Sequence, residues 1–119
     1  MAGSRFHLQR VTADLKREIG WTVANRLRDP RVPHVVTITD LKLAPDTRNA
    51  TVYVSLQGAK EGKEVAVRAL NGAAPFIQRE VSSKVSVRHF PKLYFKLDTS
   101  LEQGERINEL LKEIQDDLD

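Results

Sequence analysis

The stretch FPKLYFKLDTSLEQGERINELL, residues 90–111, predicts a β-strand that leads directly into an α-helix. Its first part alternates between apolar and polar residues, as a strand with one buried face does, and the apolar members are Leu93, Phe95 and Leu97. Its second part has apolar residues at helical spacing, namely Ile107, Leu110 and Leu111. The polar cluster Asp98-Thr99-Ser100 lies between the two patterns, so its role decides whether this region is a functional site or a structural joint.

The polar cluster has the form of a helix start. Ser100 is followed three residues later by Gln103, which is the spacing of a capping box. Asp98 is placed either to cap the same turn or to pair with Arg106. We therefore predict that Asp98, Ser100 and Arg106 form a joint between strand and helix and that they carry no chemistry.

The first half of the chain predicts one helix and a hairpin. Apolar residues recur every three or four positions over residues 8–28, which is typical of an amphipathic helix that ends before Asp29-Pro30. The β-branched run from Val35 predicts a strand that extends to Leu43, and residues 44–49 carry turn residues. In the following strand Val52, Val54 and Leu56 are expected to face the core.

Residues 63–83 predict two helices separated by a break. Asn71-Gly72 interrupts the apolar pattern, and Pro75 suits the first turn of the helix that follows. The order helix–strand–strand–helix–kink–helix–strand–helix is that of an α+β protein. We expect a single domain over residues 1–119, with helices on one face of a three-stranded sheet.

Charge is distributed unevenly along the chain. Residues 1–99 contain 17 Lys or Arg and 9 Asp or Glu, whereas residues 100–119 contain 2 and 7, so a basic body precedes an acidic last helix. The stretch 81–97 has four basic residues and no acidic one, which favours contact with a polyanion. These four residues are Lys84, Arg88, Lys92 and Lys96.

Several functional classes are disfavoured by what the sequence lacks. The three histidines His7, His34 and His89 have no metal-ligand spacing, and no nucleophile motif or glycine-rich phosphate loop is present. We predict no catalytic residue, no metal and no cofactor. There is no secretory signal, no cysteine and no apolar run of about 18 residues, so a cytoplasmic protein without membrane contact is expected.

The break in residues 63–83 has two interpretations. In an RNA-binding KH domain, two helices are joined by a GXXG loop that clamps nucleotides. Here the joint reads Asn71-Gly72-Ala73-Ala74-Pro75, which lacks the second glycine but keeps residues small enough for close approach. An ordinary helical turn is the other interpretation.

Taken together, the motifs resemble the ribosome-binding factor A family. The resemblance covers nearly the whole chain, from about residue 5 to about residue 112. It is carried by Arg10-Val11, Glu18-Ile19, Asp29-Pro30-Arg31, Val36-Thr37-Ile38, Ala50-Thr51-Val52-Tyr53-Val54, Pro91, Leu93, Phe95, Asp98, Ser100, Gly104, Arg106, Ile107, Leu110 and Leu111.

The resemblance implies a type II KH-like fold in which an Ala-x-Gly kink replaces the GXXG loop. That kink corresponds to Ala73-Ala74-Pro75, where proline stands in place of the glycine and would start the third helix rigidly. It also implies a non-enzymatic, monomeric factor that binds the free or immature small (30S) ribosomal subunit and 16S rRNA. Such a factor assists late maturation, including 16S rRNA 5′-end processing, and is associated with growth in the cold.

We expect phosphate contacts to dominate affinity, with RNA shape supplying selectivity. The predicted contacts are Arg5, Arg10, Arg31, Lys84, Arg88, Lys92 and Lys96, with close approach at Ala73, Ala74 and Pro75. Arg31 is either a phosphate contact or the partner of a nearby carboxylate. Tyr94, on the face of Lys92 and Lys96, either stacks on a base or covers the sheet edge.

A second hypothesis is a protein-interaction module. The amphipathic first or last helix could dock a partner without direct RNA contact, and ribosomal proteins are the natural neighbours on a ribosome. Salt dependence separates the two hypotheses, because phosphate binding weakens steeply with ionic strength and apolar docking does not.

Overall fold

A computed structural model describes residues 2–33 and 35–118, with side chains for residues 7–33, 35–100, 103, 104 and 107–115. The elements follow the predicted α+β order. They are α1 (Ala2–Asn25), β1 (Thr37–Leu43), β2 (Asn49–Ser55), α2 (Lys60–Gly72), α3 (Ala74–Ser82), β3 (Lys92–Leu97) and α4 (Ser100–Leu118). His34 lies outside the described residues, as do the side chains of Arg5 and Arg106.

Several predicted boundaries are wrong by a few residues, among them the start of α1, which lies at Ala2 rather than at residue 8. Helix α1 ends at Asn25 rather than at residue 28, because the N–H groups of Arg26 and Leu27 both donate to the carbonyl of Thr22 and close the last turn early. Strand β1 begins at Thr37, whereas the prediction had it at Val35, whose side chain is 74% exposed. The β-branched run therefore begins two residues before the point where pairing with β2 begins.

The sheet has the order β1-β2-β3 and is mixed. β1 pairs antiparallel with β2, and a register shift between Ile38 and Asp40 marks a bulge in β1. The predicted hairpin connection at residues 44–49 is confirmed by the N–H of Ala44, which donates to the carbonyl of Asn49 at 2.8 Å. β2 pairs parallel with β3, so the chain must cross over between them, and α2 and α3 make this crossover.

One face of the sheet packs against α1, α2 and α3. In β2 the residues Val52 and Val54 are fully buried, as predicted, and in β3 the buried positions are Leu93 and Phe95. The helices contribute the other large side chains of the core, which are Leu15, Ile19, Leu70, Ile77 and Val81. Helices thus cover one face of a three-stranded sheet, as expected from the sequence.

The other face of the sheet carries the alternate residues. The register places Tyr53 of β2 beside Asp40 of β1 and Lys96 of β3. One step along the sheet, Thr51 lies beside Lys42 and Tyr94. We call this surface the open sheet face and define it by Asp40, Lys42, Thr51, Tyr53, Lys92, Tyr94 and Lys96.

The side chain of Asn71 fastens the end of α2 to the edge of the sheet. Its Nδ2 donates to the carbonyl of Phe95 at 3.0 Å, and its Oδ1 accepts the N–H of Phe95 at 2.8 Å. The N–H of Lys92 donates to the carbonyl of Arg48, just before β2, and the N–H of Asp98 donates to the carbonyl of Val54 in β2. Even-numbered residues of β3 therefore face β2, and the N–H groups of the odd-numbered residues between them point away from the sheet. Asn71 therefore pairs with the middle of the outer edge, as another strand would.

The cluster between β3 and α4 is a structural joint. Thr39 Oγ1 donates to Asp98 Oδ2 at 2.6 Å, and the N–H of Ser100 donates to Asp98 Oδ1 at 2.9 Å. The helix start differs in detail from the predicted capping box, since Gln103 makes its contacts with Thr99, through its N–H to the carbonyl and its Nε2 to Oγ1. Asp98 thus ties β1 to the start of α4.

The described side chains of α4 lie on the surface. None of them is buried, and the apolar residues Ile107, Leu110, Leu111 and Ile114 are each between 53% and 58% exposed. The spacing of these four residues puts them on one side of the helix. The amphipathic pattern predicted from the sequence is present, but its apolar side does not join the core.

Replacing Asn71 with alanine should destabilise the fold. The change leaves the N–H and carbonyl of Phe95 without the two partners that the structure gives them. At about 1 kcal/mol for each hydrogen bond, the loss in the free energy of unfolding should be about 2 kcal/mol. Urea unfolding measures it, with Asn108→Ala in exposed α4 as the matched control, and an Asn71→Ala midpoint equal to wild type would contradict the edge-fastening role.

The lowered pKa of the Asp98 carboxyl should make the free energy of unfolding depend on pH in the acid range. The hydroxyl of Thr39 and then the hydroxyl and N–H of Ser100 lower the pKa of Asp98 to about 2. Because this value is below the unfolded value of about 3.9, the carboxylate stabilises the folded state above about pH 4, and this contribution is lost as pH falls toward 2.

The variant Thr39→Val should raise the pKa of Asp98 toward its ordinary value, because it removes the largest cause of the depression. Carboxyl-carbon NMR titration of the folded protein measures the shift directly. Thr37→Val, on the exposed end of the same strand, is the control that should leave the pKa unchanged. A pKa of Asp98 that is equally low in both variants would show that Thr39 does not set it.

Candidate nucleic-acid interface

The predicted basic contacts divide between two sides of the protein. Lys92 and Lys96 alternate along β3 with the buried Leu93 and Phe95, so their side chains leave the sheet on the open sheet face. Lys84 follows α3 and lies against α1, on the side where the helices cover the sheet. The stretch 81–97 therefore does not form one patch, because its strand projects residues in a different direction from the turn before it.

An aromatic residue with two cations marks the helical side. The Lys84 ammonium lies 3.9 Å from the centroid of the Trp21 ring, and the Arg26 guanidinium lies 5.8 Å from it. Both distances are within the range of cation–π interaction. Trp21 is 44% exposed, so the ring holds two cations at the surface while part of it remains open to solvent. We call Trp21, Arg26 and Lys84 the tryptophan cluster.

Arg88 lies near the first half of α1. It lines a groove of about 360 Å³ together with His7 of α1 and His89. Arg10 is exposed one turn after His7, so it belongs to the same region of the surface. Arg10 and Trp21 are 11 residues apart, which is about three helical turns, and this spacing puts them on one side of α1.

Arg31 is bound to a carboxylate. Its Nε and Nη2 donate to the two oxygens of Asp29 at 3.0 and 2.7 Å, and its N–H donates to Asp29 Oδ1 at 2.9 Å. The Arg31 side chain and then its N–H lower the pKa of Asp29 to about 2. The sequence left open whether Arg31 contacts a phosphate or pairs with a nearby carboxylate, and the structure shows the pairing with Asp29. The Arg31 side chain remains 60% exposed.

The kink between α2 and α3 is made at Ala73. This residue has φ −88° and ψ −1°, and its N–H donates to the carbonyls of Ala69 and Leu70 while α3 begins at Ala74. The kink thus requires no left-handed residue. Pro75 occupies the first turn of α3 and is exposed, and Ala73 and Ala74 are partly buried against the core. Small side chains and a proline ring therefore form this corner of the surface.

The open sheet face combines aromatic rings with cations. Lys42 Nζ lies 5.6 Å from the centroid of Tyr53, and Lys92 Nζ lies 5.5 Å from the centroid of Tyr94. Tyr94 is 45% exposed, and Tyr53 is partly buried between its strand neighbours. The face also carries the acidic Asp40, whose Oδ1 accepts the N–H of Leu41.

Sequence reasoning missed four of these residues. Trp21 could have been found from the polar side of α1, where a lone tryptophan stands opposite the core positions Leu15 and Ile19. Arg26 follows the end of this helix, and its position beside Trp21 required the structure. Lys42 and Tyr53 required the pairing register of β1 and β2. That register includes a bulge, so alternation counted from the start of β1 would have placed Lys42 on the wrong face.

The surface chemistry fits binding of a polyanion. Cations beside partly exposed aromatic rings can contact phosphates and bases at once. Among the residues that the structure describes, no three His, Asp or Glu side chains come close enough together to hold a metal ion. In the same part of the chain, no helix has the length and apolar character needed to cross a membrane.

Comparison with known proteins identifies relatives over most of the chain. The family model of ribosome-binding factor A matches residues 7–111. The ribosome-binding factor A of Thermomicrobium roseum is 43% identical over 106 residues, covering 89% of this chain and 81% of the relative. That of Acetivibrio thermocellus is 39% identical over 106 residues, covering 89% of this chain and 86% of the relative.

Solved structures agree with this grouping. The crystal structure of ribosome-binding factor A from Thermus thermophilus aligns with a TM-score of 0.66 and 29% identity, over 75% of this chain and 92% of that one. A homology model of the Thermus thermophilus factor, as fitted into the cryo-EM map of its 30S complex, aligns with a TM-score of 0.62 and 29% identity, over 76% and 93% of the two chains. The extent of the family match and the identity to these relatives show that the chain belongs to the ribosome-binding factor A family.

Proposed function

We propose that this protein binds the free or immature small ribosomal subunit through 16S rRNA and assists its late maturation, including processing of the 16S rRNA 5′ end. The observation that carries the proposal is the family match over residues 7–111. It is supported by a relative of similar fold that has been fitted into a map of its 30S complex. The role is that of a non-enzymatic assembly factor, a single domain over residues 1–119 that acts in the cytoplasm.

The helical side of the protein provides the phosphate contacts in this proposal. The tryptophan cluster and the region of Arg10 and Arg88 both border α1, so a single RNA segment that follows this helix can meet both. Lysine and arginine contacts to phosphates dominate the affinity of such a complex and make it sensitive to salt. Trp21 then offers a base the part of its ring that remains exposed.

The kink supports the proposal in a different way. Its residues are small, so an RNA backbone can approach the joint between α2 and α3 closely. Pro75 replaces the glycine of the family pattern, yet the kink is made with ordinary right-handed backbone at Ala73. The joint is therefore made without a flexible residue, and selectivity is expected to follow from shape rather than from local flexibility.

A second candidate function is docking of a protein partner through α4. Its specific support is the exposed apolar side formed by Ile107, Leu110, Leu111 and Ile114. The helix segment is also acidic, with 7 Asp or Glu against 2 Lys or Arg in residues 100–119, so it favours a basic protein over RNA. Ribosomal proteins of the small subunit are partners of this kind.

Co-sedimentation with purified small subunits tests the proposed function. The protein should bind free small subunits, with little binding to complete ribosomes, and its affinity should fall steeply as salt increases because counterions are released from phosphates. Binding that falls only weakly with salt would favour the protein-docking alternative, because the apolar side of α4 would then supply most of the affinity. Absence of binding at low salt would contradict both functions.

The paired variant Lys84→Gln and Arg88→Gln tests the helical side. If each cation contacts one phosphate, the slope of log affinity against log salt should decrease in magnitude by about 2. The control is Lys60→Gln with Arg68→Gln on the exposed side of α2, which removes the same charge. Equal slopes for the two paired variants would show that the helical side does not contact phosphates.

Substitution of Pro75 tests whether the kink contributes to subunit binding through its fixed shape or through backbone flexibility. Pro75→Gly should lower the free energy of unfolding by about 1 kcal/mol, because it frees the unfolded chain. It should leave subunit affinity unchanged, since the kink contains no left-handed residue. Urea unfolding and co-sedimentation measure the two effects, with Pro75→Ala as the control for loss of the ring. A glycine variant that bound at least tenfold more tightly would show that flexibility at this position contributes to binding.

A further inference from the structure

The open sheet face contains both tyrosines of the chain. Tyr94 lies beside Thr51 in the register of β2 and β3, and Tyr53 is two residues farther along β2, so the two rings are diagonal neighbours on one face. Diagonal neighbours on one face of a sheet are within reach of aromatic side chains. The two tyrosines therefore lie on the same face of adjacent strands.

Each ring is accompanied by a lysine. Lys42 reaches Tyr53 from β1, and Lys92 reaches Tyr94 within β3, while Lys96 stands beside Tyr53 across the β2–β3 pairing. Asp40 is the only acidic residue among the seven that define the face, so these seven carry a formal charge of +2. The carboxylate of Asp98, which follows β3, is already bound by Thr39 and Ser100. The alternation of ring and cation gives this face an attraction for both the planar and the charged parts of a nucleotide.

We infer that the open sheet face is a second RNA contact, which binds single-stranded RNA by stacking bases on Tyr53 and Tyr94. A strand surface with aromatic rings can stack two or three splayed bases. The long lysine stems let the ammonium groups move from the rings to the phosphates on either side. Duplex RNA keeps its bases stacked inside, so it cannot use the rings in this way.

This second contact lies on the opposite side of the sheet from the tryptophan cluster. The same RNA duplex cannot lie along α1 and also cover the open sheet face, because the core separates them. The inference rests on the proposed function for the identity of the RNA, which would be an unpaired segment of immature 16S rRNA. The stacking itself is a property of this face and can be tested with any single strand.

NMR of protein labelled only in its tyrosine and tryptophan rings tests the inference. The probes are an RNA octamer of mixed sequence without self-complementarity and the duplex that it forms with its complement. We expect the octamer to shift the ring signals of Tyr53 and Tyr94, and the duplex to leave them in place. The single tryptophan reports separately on the helical side.

Paired variants separate stacking from charge. Tyr53→Leu with Tyr94→Leu should bind the octamer at least about tenfold more weakly, because base–aromatic stacking is lost at two positions. Tyr53→Phe with Tyr94→Phe keeps both rings and should bind within about twofold of wild type. Thermal melting shows that each pair is folded, and the phenylalanine pair keeps the test valid if the leucine pair is unstable.

Four results would overturn the inference. Two of them concern RNA: the octamer shifts the ring signals of neither tyrosine, or the duplex shifts both as strongly as the octamer does. The others are a folded leucine pair that binds the octamer with wild-type affinity, and oligoglutamate that shifts the ring signals as the octamer does. Co-sedimentation distinguishes failure here from failure of the proposed function. If wild type and a folded leucine pair bind small subunits equally, only this inference fails, whereas loss of subunit binding by wild type itself contradicts the proposed function.

Discussion

The parallel pairing of β2 with β3 determines both the path of the chain and the composition of the two sheet faces. Parallel neighbours cannot be joined by a tight turn, so the chain between them must cross the sheet, and α2, the kink and α3 form that crossover. The pairing buries Val52 and Phe95 under the helices. It also places Tyr53 beside Lys96 on the opposite side, so the core and the open sheet face arise from the same register.

The edge of this pairing is secured by one side chain. Asn71 sits at the end of α2, just before the kink, and satisfies both backbone groups of Phe95. The kink is therefore held at a defined position relative to β3, whatever residue follows it. The corner is therefore compatible with Pro75, because it is fixed by the asparagine and by the right-handed turn at Ala73.

The sequence predicted the elements of the fold because their patterns are local. Alternation in residues 93–97 and helical spacing in α1 to α3 are properties of short segments, and both are confirmed. The role of Asp98 as part of a joint was also predicted. Its partner Thr39 is 59 residues away in the sequence, so that contact could not be predicted from local patterns. A contact of this range depends on the register of three strands.

The candidate interface was less accessible to the sequence. Lys84, Arg88, Lys92 and Lys96 are close in the chain and were expected to act together, but the turn after α3 and the pleat of β3 send them to different sides of the protein. Trp21 and Lys84 are 63 residues apart in sequence and become neighbours only when α1 and α3 pack together. Charge runs therefore indicated a polyanion as the class of ligand, and only the fold shows on which side of the protein each cation lies.

Ultraviolet cross-linking of the wild-type protein to small subunits, followed by mass-spectrometric mapping of the RNA-bearing peptides, shows whether RNA lies on both sides of the sheet. We expect 16S rRNA adducts on both sides of the sheet, at Trp21 and at Tyr53 or Tyr94, with none on α4. Adducts confined to α4, or an absence of adducts from the aromatic residues of both sides, would contradict this expectation.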